Sequence, residues 1–236
     1  SVSIGSEKWK GLMRWAMDEC ERLGLTFGTH NCPGWSSSAY PTVEPQYSML
    51  KLVYSEMLLP TGKLPKKISL KKPEVDSTWN YYEDVAVIAI PNDSIIKKED
   101  VVFLSYCLNK ETDELTLPKG LAEGMAVLRI GQTTIGKTNA SQSPESGKGL
   151  ECDKLSREAV LKFWQGYPQM VIGIAGHHAG KTFTHFEIDS YEAGGQTWTG
   201  ILPEEFKKRR GYDIMPYMPY MIGRCKTIDD KQETAK

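Results

Sequence analysis

The stretch that decides the fold runs from Glu7 to Ser38, EKWKGLMRWAMDECERLGLTFGTHNCPGWSSS. Trp9, Leu12, Met13, Ala16, Met17 and Cys20 recur at three-and-four spacing, which predicts a helix over Glu7–Leu23 with one apolar stripe. Ser6 stands where an N-cap belongs, and Gly24 where a left-handed stop belongs. Leu25–His30 then reads as a short strand, followed by a polar and aromatic loop, His30–Ser38. Helix, tight glycine, apolar strand and elaborate loop is the order of a parallel α/β fold. In such folds ligands sit in the loops at the carboxyl ends of the strands.

Moving outward, the grammar changes. From about Met49 to Ile130 the chain reads mostly as strands: Leu50–Tyr54, Val85–Ile90, Val101–Tyr106 and Met125–Ile130, separated by Gly, Pro, Asn and Asp. The first of these also fits a helical period through Met49, Leu50, Val53 and Met57. No strand-plus-crossover-helix pattern occurs here, so an antiparallel β insertion is expected. A Gly/Ser/Pro/Asn-rich linker follows from Gly131 to Gly149, and then α/β order returns. Leu150–Asp153 reads as a strand end, Ser156 as the cap of a helix carrying Ala159, Val160, Phe163 and Tyr167, and Thr182–Asp189 as a strand ending in acidic residues. The next helix has Pro203 in its first turn with Glu204 and Glu205, then Lys207–Arg210, then Gly211. Acid first and base last complements the helix dipole. The division expected is 1–45 as a first α/β part, 46–135 as an inserted β-rich domain, and 136–236 as a continuation of the first part. There is no internal repeat.

Composition narrows the partners. Of 236 residues, 25% are charged and 40% hydrophobic, with a formal net charge of −1, which gives no electrostatic reason to expect nucleic acid or an anionic membrane. No apolar run reaches the roughly 18 residues of a membrane span. Five scattered cysteines with no C-x-x-C pair argue against a zinc site or a disulfide framework and for free thiols.

Four places could carry chemistry. In Phe186–Trp198 a strand ends, Asp189, Tyr191 and Glu192 follow, and Gly194, Gly195, Gln196, Thr197 and Trp198 close the run. Carboxylic acid, aromatic faces and an amide are what sugar cleavage needs, although Asp189 and Glu192 could instead cap a helix. His30, Asn31 and Trp35, with three serines, can bind a polyol, or can be turn formers around a core Trp. Glu151 and Asp153 alternate with apolar residues and could face one site, or could pair with Lys154 and cap. His177-His178, on a glycine-rich loop, read as a surface turn rather than a metal site. Gly131–Thr138 ends in Gly-Lys-Thr but lacks a following helix, so no phosphate loop is read there.

The segments LGLTFGTHNCPGWSSS, YYEDVAVIAIP, VLRIGQTTIGKTNA, GLECDKLSREAV, IDSYEAGGQTWT and EEFKKRRGYDIMPYMP, in this order, resemble glycoside hydrolase family 106, the α-L-rhamnosidases. The resemblance covers nearly the whole chain. It implies an α/β fold: a partial (β/α)8 TIM barrel interrupted by an antiparallel, sandwich-like β-rich insertion. It also implies inverting hydrolysis of terminal α-L-rhamnosyl linkages in plant polysaccharides, assisted by calcium, in a periplasmic or secreted bacterial protein. The family's Asp-Ser-Tyr-Glu segment falls on Asp189–Glu192, which implies Glu192 as general acid. The substrate-binding residues expected around it are His30, Asn31, Trp35, Glu151, Asp153, Asp189, Tyr191, Gln196 and Trp198. The resemblance assigns no calcium ligands here. It puts the basic carboxylates on later strands, in a C-terminal barrel half beyond Lys236, so the chain alone is expected to be inactive. The alternatives are a carbohydrate-binding protein on a degraded barrel and a barrel glycosidase of other specificity, β-galactosidase-like for example.

Overall fold

The computed structural model describes residues 2–34, 36–38, 43–138, 145–189 and 194–229. In chain order the elements are α1 (Glu7–Leu23), β1 (Phe27–His30), β2 (Leu50–Leu58), β3 (Lys67–Ser69), β4 (Glu83–Ile90), β5 (Ile95–Lys97), β6 (Val102–Phe103), β7 (Leu108–Asn109), β8 (Glu114–Thr116) and β9 (Ala126–Thr134). They continue with α2 (Arg157–Trp164), α3 (Tyr167–Ala175), β10 (Phe183–Glu187), α4 (Leu202–Arg210), α5 (Met218–Met221) and β11 (Thr227–Asp229). The fold is mixed α/β with antiparallel sheets. It divides into two compact units, Ser1–Lys51 with Thr134–Thr199, and Leu52–Thr133 with Gly200–Lys236.

In the first unit α1 begins and ends where its sequence says. The Ser6 hydroxyl accepts from the Trp9 amide at 3.2 Å, and Gly24, at φ 69°, returns its N–H to the Cys20 and Glu21 carbonyls. The buried stripe is narrower than the periodicity predicts. Met17 is fully buried and Trp9 and Met13 pack beside it, whereas Leu12 is half exposed. Their partners are Tyr167, Val171 and Ala175 of α3 and Phe183 of β10. The expected single helix from Ser156 to Tyr167 is two, because the chain turns after Trp164 and restarts behind Gly166 with Pro168 in the first turn. β1 and β10 pair in parallel, with His30 opposite Glu187. The His185 ring lies over Gly28, where a Cβ would stand 2.2 Å from it.

The second unit is the β-rich one. A four-stranded sheet, β2-β9-β4-β6, and a three-stranded antiparallel sheet, β3-β8-β7, supply its strands. Val87, Ala89 and Val127 from one and Leu115 from the other meet in one apolar cluster with Leu59, Leu70, Leu104 and Met125. β5 pairs in parallel with β11. Leu50–Tyr54 takes the strand reading. The strand expected over Val101–Tyr106 shrinks to Val102–Phe103, since Ser105–Cys107 coil into a 3-10 turn. The linker expected from Gly131 starts later, because β9 continues through Thr134 with every residue buried. Gly131 is not a flexible spacer: a Cβ there would meet the Tyr82 ring at 2.3 Å. Among the described residues no helix is long and apolar enough to cross a membrane, and all five cysteines are free thiols.

Candidate functional site

The carboxyl ends of β1 and β10 lie side by side in the first unit, so their following loops open from one edge. The Asn31 amide continues the ladder by donating to the Glu187 carbonyl at 3.0 Å. His30 Nε2 stands 3.7 Å from Glu187 Oε2. Asn31 is buried, and its Nδ2 donates to Ser37 Oγ at 3.1 Å. Two atoms here are buried without a partner among the described residues, His30 Nδ1 and Asn31 Oδ1. A buried polar atom left unpaired costs about 1–3 kcal/mol. Glu187 and Asp189 expose their carboxylates at the same strand ends.

The loop after β1 is fastened to 150–153 by backbone and side chain together. Ser38 bridges Glu151, and the Cys152 amide donates to the Ser37 carbonyl at 3.1 Å. Glu151, wholly buried, is the hub. Its Oε1 accepts from the Ser37 amide at 2.7 Å and from Lys154 Nζ, and its Oε2 accepts from the Ser36 hydroxyl at 2.6 Å and from Ser38. Burial pushes the Glu151 carboxyl up, but Lys154, Ser36 and Ser38 outweigh it and hold it below the usual range. Glu151 is therefore an ionised anchor, the opposite of a general acid, which needs a raised pKa. Of the readings open for it, the Lys154 pair is the one formed.

Asp153 ties in the other loop. Its Oδ1 accepts from Gln196 Nε2 at 2.7 Å and from the Leu155 amide at 2.9 Å. Gln196 also donates to the Trp198 carbonyl at 2.9 Å. Trp198, 2% exposed, is a core residue bridged to Leu50 and presents no open ring face. The structure thus gathers His30, Asn31 and Asp189 at the strand ends, with Glu151, Asp153 and Gln196 behind them as braces. Trp35, Tyr191 and Glu192 lie outside the described residues. Glu187 was missed as a site residue, and the three serines, read as polyol donors, instead hold Glu151. Glu187 is the last residue of β10, two before Asp189, a spacing that could have found it. The tie of the serines to Glu151 gave no signal, since that partner lies over a hundred residues away in sequence.

Other chemistries are excluded by environment. Burial pushes the Cys32 thiol up to about 11 and Cys152 to about 12, so neither is a thiolate nucleophile at neutral pH. Calcium asks for six to eight oxygen ligands. Among the described residues the one group of three potential metal-binding side chains is Asp18, His177 and His178, two of them nitrogen donors. That trio does not fit calcium.

A family model described as alpha-L-rhamnosidase, glycoside hydrolase family 106, matches residues 1–78 and 71–234. The chain belongs to glycoside hydrolase family 106. A family relative from Formosa agariphila, provisionally named a beta-glucuronidase, is 34% identical over 255 residues, which is 94% of this chain and 21% of the relative. A rhamnosidase structure from Novosphingobium sp. PP1Y superposes with a TM-score of 0.73 at 19% identity, covering 93% of this chain and 36% of that one. The chain thus spans about a fifth of the length of the relative and about a third of the solved enzyme, and the second likeness is one of fold.

Proposed function

We propose that this chain forms part of the catalytic barrel of an inverting α-L-rhamnosidase acting on plant polysaccharide, with 1–45 and 136–236 contributing barrel and 46–135 the inserted β-rich domain. The observation that carries the reading is the parallel β1–β10 pair, whose carboxyl ends hold buried, unpaired polar atoms and exposed acidic residues in a chain of this family. A sugar entering there would give hydroxyls to Asn31 Oδ1 and His30 Nδ1, with Glu187 and Asp189 alongside. Glu192 follows Asp189 by three residues and would protonate the departing glycosidic oxygen. A base about 6.5–9.5 Å from it would activate water on the opposite face of the ring. The name of the Formosa agariphila relative favours a second reading, a glycosidase of the same fold that removes a uronic acid.

In the gene product that carries this segment, Glu192→Gln should lower kcat about 10²–10⁴-fold on a rhamnoside with a poor leaving group, and far less on a nitrophenyl rhamnoside. An equal loss on both would remove Glu192 from the acid role. Preference for an aryl β-glucuronide over the aryl α-L-rhamnoside would move the specificity to the second reading. Residues 1–236 alone should turn over neither.

A further inference from the structure

The turn after α3 and the last turns of α1 bring four metal-ligating side chains together, away from the strand ends. Asp18 and Glu21, three apart on α1, share a face. His177 and His178 lie in the 3-10 turn Gly176–His178. Ligand atoms of Asp18, His177 and His178 all fall within 4.8 Å of one another. The Glu21 Oε2 atom is 3.7 Å from His178 Nδ1 and 3.8 Å from His177 Nε2. The surface turn expected for the two histidines is half realised: His177 is exposed, but His178 is 2% exposed.

His178 makes the case. Its Nε2 is 2.8 Å from Asp18 Oδ1, while its Nδ1 is buried with no hydrogen-bond partner among the described residues. With the Nε2 proton given to Asp18, Nδ1 keeps a lone pair that faces another acceptor, the Glu21 carboxylate, across a gap too long for a hydrogen bond. Two acceptors facing each other call for a cation between them. A histidine that binds metal through one nitrogen and donates from the other to a carboxylate is the usual orienting arrangement. Ligands about 2.1 Å from one zinc ion stand about 3.4 Å apart at a tetrahedral angle. Glu21 and His177 have exposed side chains that can close gaps of 3.7 and 3.8 Å by turning. The carbonyl end of α1 adds negative potential at the same point.

We propose that His178, His177 and Glu21, with Asp18 orienting His178, bind one divalent transition-metal cation of the zinc type, which ties α1 to the turn after α3. Imidazole and carboxylate donors select such ions over calcium.

The test is calorimetric titration of the tag-free chain with Zn2+, with and without millimolar Ca2+, followed by nitrogen NMR of the imidazoles. One Zn2+ per chain is expected, with affinity unchanged by Ca2+ and at least ten-fold weaker in His177→Gln and in Glu21→Gln. Both replaced side chains are exposed, so these variants should keep the wild-type circular dichroism. The His178 Nδ1 resonance should move on Zn2+ addition while Nε2 keeps its proton. Absence of saturable Zn2+ uptake, affinity within two-fold of wild type in both variants, or an unmoved His178 Nδ1 would each overturn the site.

Discussion

Among the described residues each compact unit holds one charged side chain with no exposed surface, and the two are held by different means. In the β-rich unit Arg129 sits mid-strand on β9 with no exposed surface. Its Nε and Nη2 donate to the two Asp84 oxygens at 2.7 and 2.9 Å, and its Nη1 to Asp113 Oδ1 at 2.6 Å and to the Leu70 carbonyl at 2.9 Å. The guanidinium is planar and donates only, so its partners are fixed in direction. Glu151 in the other unit is held by two hydroxyls, one amide and one flexible ammonium, three of them from a loop. Hydroxyls rotate and can donate or accept. The first arrangement is a rigid fastening of a framework, and the second is an adjustable brace under the carboxyl ends of β1 and β10.

The comparison breaks hardest at the guanidinium. Arg129→Met leaves Asp84 and Asp113 facing an apolar side chain and should cost about 3–5 kcal/mol. Glu151→Gln should cost only about 1–2 kcal/mol, because the new amide can face Ser36 and Ser38, whose hydroxyls turn to accept from it. Its remaining oxygen still serves Ser37 and Lys154. Urea unfolding gives the totals, and hydrogen exchange assigns them: amides of β9 should lose protection in the first variant, and Ser37 in the second. Equal costs would mean that the brace is as rigid as the fastening.

Acid sharpens the same contrast. Burial raises the Asp84 carboxyl, but Arg129 and Tyr82 outweigh it, so its pKa is lowered, as is that of Glu151. A lowered carboxylate contributes stability that is complete above the unfolded value of about 4 and is lost as pH falls through the folded value. Both regions should therefore lose protection below about pH 4 in the wild type. In Arg129→Met the largest lowering influence on Asp84 is gone while burial and the Tyr82 bond remain, so β9 should lose less protection on acidification than it does in wild type. Exchange measured at pH 7, 5 and 3 separates the two.

These differences also explain what could be read in advance. The α1 boundaries were legible because capping and periodicity are local, and His30 and Asn31 because a polar loop after an apolar strand marks a carboxyl end. Gly131–Thr134 was misread because glycine, threonine and glutamine signal a linker. What makes Gly131 a strand residue is the Tyr82 ring against it, which no local pattern shows. Arg129 read as one polar residue in an apolar run, and its need for Asp84 and Asp113 is a tertiary fact. Glu151 was legible as a site-facing carboxylate but not as an anchor, since spacing left the Lys154 pair and the site equally open.

The smallest effects lie at the edges of the two arrangements. Ser36→Ala removes one of four donors to Glu151 and leaves Oε2 with Ser38, so the loss should be about 1 kcal/mol, the net worth of one hydrogen bond. Asp113→Asn keeps a carbonyl oxygen for Arg129 Nη1 on a partly exposed side chain, and asparagine tolerates its positive φ of 56°. That change should cost about 0.5–1 kcal/mol, because Asp84 still pairs with Arg129 through two bonds. The two variants should differ in reach more than in size. An adjustable brace spreads the loss of one donor, so Ser36→Ala should raise exchange at Ser37, Ser38 and Asn31 together, the last through the Ser37 hydroxyl that Asn31 Nδ2 holds. A rigid fastening confines it, so Asp113→Asn should raise exchange at Leu70, whose amide donates to the Asp113 carbonyl, and leave β9 unchanged. Loss of β9 protection in Asp113→Asn would make Asp113 as necessary as Asp84, and the fastening a three-membered network rather than a bidentate pair with an outer support.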